Sequence, residues 1–218
     1  MSARDTILAR VRDAALARPE AATDREAQVA ERMITGPKGI VPHQGQATGP
    51  QKLRQFLEKL EANDTTVTRV SSEDEIAHAV ARELRKRNLP AAIRMGEDPM
   101  FHAQDWGSLD VSRGPGRLEE PVTLSRAQFA IAETGTLVLT SGPDNPVTLT
   151  FLGETHFVVL RTEDLRSGFE DMWGDFRKRG LDPRTVNMVS GPSRSADIGQ
   201  VLQLGAHGPV ALHLFMVG

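Results

Sequence analysis

The chain has 218 residues, no cysteine, no tyrosine and a formal charge of −3 at pH 7. That length makes one large domain or two small ones, and the missing thiols exclude disulfides, a cysteine nucleophile and an iron–sulfur cluster held by the chain's own side chains. The mildly acidic balance and sparse aromatics offer no footprint for nucleic acid, and no apolar run approaches the roughly 20 residues of a membrane span.

An N-terminus without an apolar signal core and the lack of cysteine lead us to expect a cytoplasmic protein. Residues 2–17 read as a helix. Ser2 and Asp5 form a capping-box pattern, and Ile7, Leu8, Val11 and Ala15 make an apolar stripe that predicts a packing helix. Residues 22–33 predict a second, more polar helix. Residues 35–50 hold Gly36, Gly39, Gly45 and Gly49 with Pro37, Pro42 and Pro50, the composition of a loop or extended arm. Residues 1–49 are therefore expected to be an N-terminal helical arm and linker, able to pack on its own domain or on a second subunit in a homodimer. Residues 50–218 are expected to form the main domain.

From Pro50 the pattern is regular. Pro50 suits the first turn of a helix through Leu60, and residues 65–70 are β-rich. Ser72 and Glu75 form a capping-box pattern ahead of a helix carrying Ile76, Ala77, Val80 and Leu84. Residues 91–95 are a short strand. Strand, helix and strand within about 30 residues make a βαβ unit, which implies a parallel sheet with helices on its faces. Residues 97–116 are irregular, with a short strand at 109–111. Strands are predicted over 129–140, 156–160, 185–189 and 210–217. Helices are predicted over 165–179, closed by Gly180, and over 195–204, ending at Gly205. The fold class is α/β, a mostly parallel sheet flanked by helices.

No Gly-x-Gly-x-x-Gly, P-loop, His-Glu-x-x-His or nucleophile elbow occurs. The six histidines show no pair at metal-ligand spacing, so no metal site is expected. Three other stretches carry candidate chemistry. Glu133, Thr134, Gly135 and Thr136 interrupt an apolar strand, and a buried carboxylate must be paired, solvated or neutralised. Glu133 has three readings: nucleophile or base, ligand-binding carboxylate, or structural anchor for backbone amides. Gly191, Pro192, Ser193, Ser195 and Asp197 fall between a predicted strand and a predicted helix. They read equally well as an anion site at a helix N-terminus or as an ordinary cap, with Asp197 complementing the dipole. His207 and Gly208, ahead of the last strand, read either as an acid–base group and its turn or as a turn alone.

Together these stretches resemble the lactate utilization protein C family, whose members carry a LUD domain. The resemblance rests on Ile131 to Leu139, on Gly191 to Ile198, on Gly205 to Pro209, and on their order and separation. An opening like residues 2–8 adds to it. Ser195 stands where threonine is frequent, and Gly199 where glutamate is common in the family. The resemblance implies a fold similar to the sugar-phosphate isomerase and coenzyme A transferase-like superfamily. It also implies a non-redox subunit of a system that oxidises L-lactate to pyruvate. No cofactor is expected on this chain; iron–sulfur clusters are expected on partner subunits, and a small anionic metabolite as ligand. By position it carries over Glu133, Thr134, Gly135, Thr136, Gly191, Pro192, Ser193, Asp197, His207, Gly208 and Pro209. The alternatives are an independent transferase-like enzyme using Glu133 and a metabolite-binding regulatory module.

Overall fold

The computed structural model describes residues 2–16, 22–36, 39–118, 120–198, 201–204 and 207–218. The expectations resting on Pro37, Gly199, Gly205 and Ala206 lie outside the described residues. The chain divides into two units, Met1–Ile40 and Val41–Gly218.

The first unit holds two helices, α1 (Ala3–Leu16) and α2 (Ala22–Thr35). The expected capping box closes α1. The Ser2 amide donates to Asp5 Oδ2 at 3.0 Å and the Asp5 amide to Ser2 Oγ at 3.2 Å, satisfying donors that a first turn leaves open. Ile7, Leu8 and Val11 of α1 and Met33 and Ile34 of α2 are exposed. The apolar stripe expected to pack is thus uncovered within this unit.

The second unit runs α3 (Gly49–Ala62), β1 (Thr65–Val70), α4 (Ile76–Lys86), β2 (Ala92–Met95), α5 (Pro99–His102), β3 (Asp110–Arg113), β4 (Val122–Arg126), β5 (Phe129–Ile131) and β6 (Thr136–Thr140). It continues with α6 (Val147–Phe151), β7 (Thr155–Arg161), β8 (Leu165–Arg166), α7 (Phe169–Lys178), β9 (Val186–Val189), β10 (Arg194–Ile198), β11 (Val201–Leu204) and β12 (Ala211–Val217).

Six of these strands make a wholly parallel sheet in the order β1-β12-β7-β4-β2-β3. The α/β class and mostly parallel sheet are as the sequence implied. The βαβ unit is wider than expected: β12, β7 and β4 lie between β1 and β2. β7 is apolar on both faces, as a central parallel strand covered by two layers must be. Phe157 and Val159 join Val80 and Leu84 of α4 and Phe101 of α5 in one core layer. Val158 and Leu160 point the other way, against Phe56 and Leu60 of α3 and Leu137 and Leu139 of β6.

The second cover layer is a four-stranded sheet, β8-β5-β6-β9. Its far face packs Phe129, Ile131 and Val138 on Met172 and Phe176 of α7. The order is therefore helix, parallel sheet, mixed sheet with α3, helix. Among the described residues no helix is long and apolar enough to cross a membrane.

Four local expectations are corrected. The stretch 129–140 is not one strand but two, β5 and β6, paired antiparallel, with residues 132–135 as the turn. There Gly135 takes φ 69°, a left-handed conformation that glycine adopts freely. Residues 195–204 are not a helix: β10 and β11 pair antiparallel, so no helix N-terminus stands behind Ser193. Residues 165–179 split into β8 and α7, because Gly168 is the extended N-cap at which the helix begins. The Ser72–Glu75 capping box does not form. Ser72 makes no side-chain cap bond, and Glu75 Oε2 instead accepts from the Ser71 amide at 3.4 Å.

Candidate functional site

The amino-terminal ends of β7 and β12 border a cavity of about 230 Å³. His156 from β7 and Leu212 from β12 line it, with Thr150 and Phe151 of α6 and Met188 and Val189 of β9. Ser190, Gly191 and Ser193 and the turn His207, Gly208 and Pro209 complete the lining.

His156 is the group that the fold explains least. It is the second residue of β7, flanked in register by Thr123 and Leu212. It shares the face of Val158 and Leu160, which points into the core. The side chain is 0% exposed, and neither ring nitrogen has a hydrogen-bond partner. Burial pushes its pKa down to about 3, so at neutral pH the ring is uncharged and presents one donor and one acceptor. Thr150, 2% exposed on the same cavity, has a hydroxyl equally without a partner. Leaving a buried polar group unpaired costs roughly 1–3 kcal/mol, and native proteins rarely tolerate it. Both groups are closed off from water-sized contact, so they lie behind the cavity wall rather than open to it.

His213 makes the contrast. Also buried, it lies within hydrogen-bond distance of Thr66 Oγ1 at 2.6 Å and Thr68 Oγ1 at 3.1 Å. Its pKa is pushed down to about 4, by burial first and against the pull of Glu83. It is a satisfied core histidine; His156 is not.

Two of the three stretches singled out in the sequence meet at the cavity. The Ser193 amide donates to the Pro209 carbonyl at 2.8 Å, and the His207 amide donates to Ser193 Oγ at 3.4 Å. These bonds tie the loop after β9 to the turn before β12. Gly191, Ser193, His207 and Gly208 therefore share one wall. Pro192 instead lines a neighbouring depression with Asn63 and Arg194, and Arg194 pairs with Asp64. Ser195 and Asp197 stand on β10; their side chains lie outside what is described.

The third stretch supports the cavity from outside. Thr136 Oγ1 lies 2.6 Å from Ser190 Oγ and 2.6 Å from Thr134 Oγ1. That hydroxyl chain links the hairpin turn to the cavity rim. Gly135 lets the turn press onto α3. Glu133 faces elsewhere. The residue is 9% exposed, and Oε2 accepts from the Phe169 amide at 3.4 Å, at the start of α7. A Cβ on Gly45 or on Gly168 would each fall 3.0 Å from that oxygen, so the carboxylate is held between two bare backbones. Of its three readings, the anchoring one matches this geometry. Glu133→Ala is expected to destabilise the protein by about 1–2 kcal/mol, the worth of a helix cap and its dipole term. Urea denaturation checks this, and ligand binding at the cavity should be unchanged.

His156, Thr150, Phe151, Met188 and Leu212 were not legible as site residues. The one available signal was an imidazole inside the apolar run Phe157-Val158-Val159-Leu160, a polar group that a buried strand must either satisfy or use.

A parallel sheet covered by a mixed sheet and helices defines an α/β protein. It shares its fold with a DUF162 family protein from Deinococcus radiodurans, at TM-score 0.61 and 23% identity, covering 79% of this chain and 99% of that one. Residues 118–217 match the LUD domain family. That match spans just under half of the chain, and over it the chain is similar to the LUD domain. The chain is similar to NMB1437 of Neisseria meningitidis serogroup B, 41% identical over 86 residues, 39% of this chain and 37% of that one. It is also similar to lactate utilization protein C of Anoxybacillus flavithermus, 30% identical over 121 residues and 54% of each chain. The lactate utilization protein C of Oceanobacillus iheyensis is 25% identical over 176 residues, 77% of this chain and 69% of that one. The chain thus spans about a third to a half of the first two relatives.

Proposed function

We propose that this protein is a LUD-domain component of a system that oxidises L-lactate to pyruvate, working in the cytoplasm beside iron–sulfur partner proteins. One observation carries the reading. Every described residue lining the cavity falls between Thr150 and Leu212, inside the segment that matches the LUD domain. The relatives that share this segment include several named lactate utilization protein C. Oxidation of lactate removes two electrons and two protons. A chain without cysteine offers no thiolate to a cluster, so in this reading electron transfer falls to the partners and this chain contributes metabolite binding.

Deletion of the gene in its host, in a background without a second lactate oxidase, is expected to abolish growth on L-lactate and spare growth on pyruvate. Normal growth of the deletion strain on L-lactate would count against the reading.

A further inference from the structure

We infer that α1 and α2 are a dimerisation arm, whose apolar stripes are covered by the same two helices of a second copy of this chain. The arm lies outside residues 118–217, so its role is independent of the lactate reading above.

Ile7, Val11, Met33 and Ile34 are between 61% and 85% exposed, and Leu8 and Val29 are 46% and 54% exposed. Ile7, Leu8 and Val11 fall at helical spacing on α1, and Val29, Met33 and Ile34 do so on α2, so each helix has one apolar face. A helix of 14 residues is marginal in water by itself and draws its stability from packing that face. The capping box of Ser2 and Asp5 fixes where α1 begins and covers none of the stripe.

The size of the unit says what kind of cover it needs. A chain of about 40 residues is usually too small for a core of its own and is held by disulfides, a metal or association. The unit Met1–Ile40 contains no cysteine, and among the described residues no group of His, Asp and Glu could hold a metal ion. Association is what is left.

Charge says what the partner is. Helix α1 carries Arg4, Arg10 and Arg12 against Asp5 and Asp13 and is net positive. Helix α2 carries Asp24, Glu26 and Glu31 against Arg25 and Arg32 and is net negative. Residues 17–21 between them have the length of link that joins antiparallel helices in a bundle. Two copies related by a twofold axis bring α1 of one beside α2 of the other. Each positive helix then has negative neighbours, and the apolar stripes meet in the middle. The arm is thus complementary to itself, as a twofold contact requires. A partner helix of one charge would match one of the two helices and oppose the other.

The test is the molar mass of the full chain in solution, by sedimentation equilibrium at micromolar concentration. The expected value is twice the 23.8 kDa of one chain. Ile7→Asp with Met33→Asp should weaken association about thirtyfold or more, as the loss of central interface side chains does. Both tryptophans, Trp106 and Trp173, lie in the second unit, so their fluorescence follows its unfolding, and that urea midpoint should be unchanged. Charge reversal supplies a second pair of variants. Arg10→Glu with Arg12→Glu makes both helices negative, and Glu26→Lys with Glu31→Lys makes both positive. Each of these chains alone is expected to be monomeric, and an equimolar mixture of the two to be dimeric.

A monomer for the unmodified chain overturns the inference and assigns the apolar stripes to a different protein. A dimer that survives Ile7→Asp with Met33→Asp, or a mixture of the reversed chains that stays monomeric, overturns it as well.

Discussion

Stability is expected to fall by about 4 kcal/mol between pH 7 and pH 5, and His156→Leu to remove about half of that loss. Burial holds His156 at a pKa of about 3 and His213 at about 4, both below the ordinary imidazole value. The folded state therefore refuses protons that the unfolded chain accepts. The stability these neutral rings contribute is complete above about pH 6.5. It is lost as pH falls from there toward the two folded values, at roughly 1.4 kcal/mol per unit per ring. His156→Leu ends one of the two contributions. It also removes two buried polar atoms without partners, so at pH 7 the variant should be about 1–3 kcal/mol more stable than the parent. Urea midpoints at pH 7, 6 and 5 for both proteins provide the measurement. Equal pH dependence of the two would show that His156 is not held neutral by burial.

Gly135→Ala is expected to destabilise the protein by about 2–4 kcal/mol. A left-handed backbone costs an L residue about 1–2 kcal/mol, and a second penalty is steric. The new Cβ would meet the Cβ of Lys59 at 2.7 Å and the Lys59 carbonyl carbon at 3.0 Å. The obstacle is the backbone of α3, which cannot step aside cheaply because Phe56 and Leu60 of the same helix are fully buried beneath the large sheet. Thermal denaturation measures the effect. A variant within about 0.5 kcal/mol of the parent, the range of an ordinary surface change, would mean that the turn is not locked against α3.

The parallel sheet was legible because its central strands announce themselves. Residues 155–161 and 211–217 are apolar on both faces, which in a soluble chain asks for two covering layers, and α3 and α4 carry clear buried stripes. The mixed sheet was hidden by its composition. Residues 129–131 and 136–140 are apolar on either side of a four-residue turn, so the run reads as one strand unless Thr134-Gly135 is taken as a turn signal. The pair β10 and β11 was mistaken for a helix because Ser193 to Asp197 imitates an N-terminal cap. Yet Ile198 and Val201 flank Gly199, a pattern that also fits a hairpin. The loop wall of the cavity was readable as motif, with Gly191, Ser193, His207 and Gly208 brought together as a site would need. The polar floor was not. What singles out His156 and Thr150 is the absence of partners, and partners belong to three-dimensional packing, which no spacing of residues in the chain encodes.

The most direct measurement is growth on L-lactate of a strain that lacks this gene and any second lactate oxidase. The account predicts no growth on L-lactate and normal growth on pyruvate. Normal growth on L-lactate would contradict it.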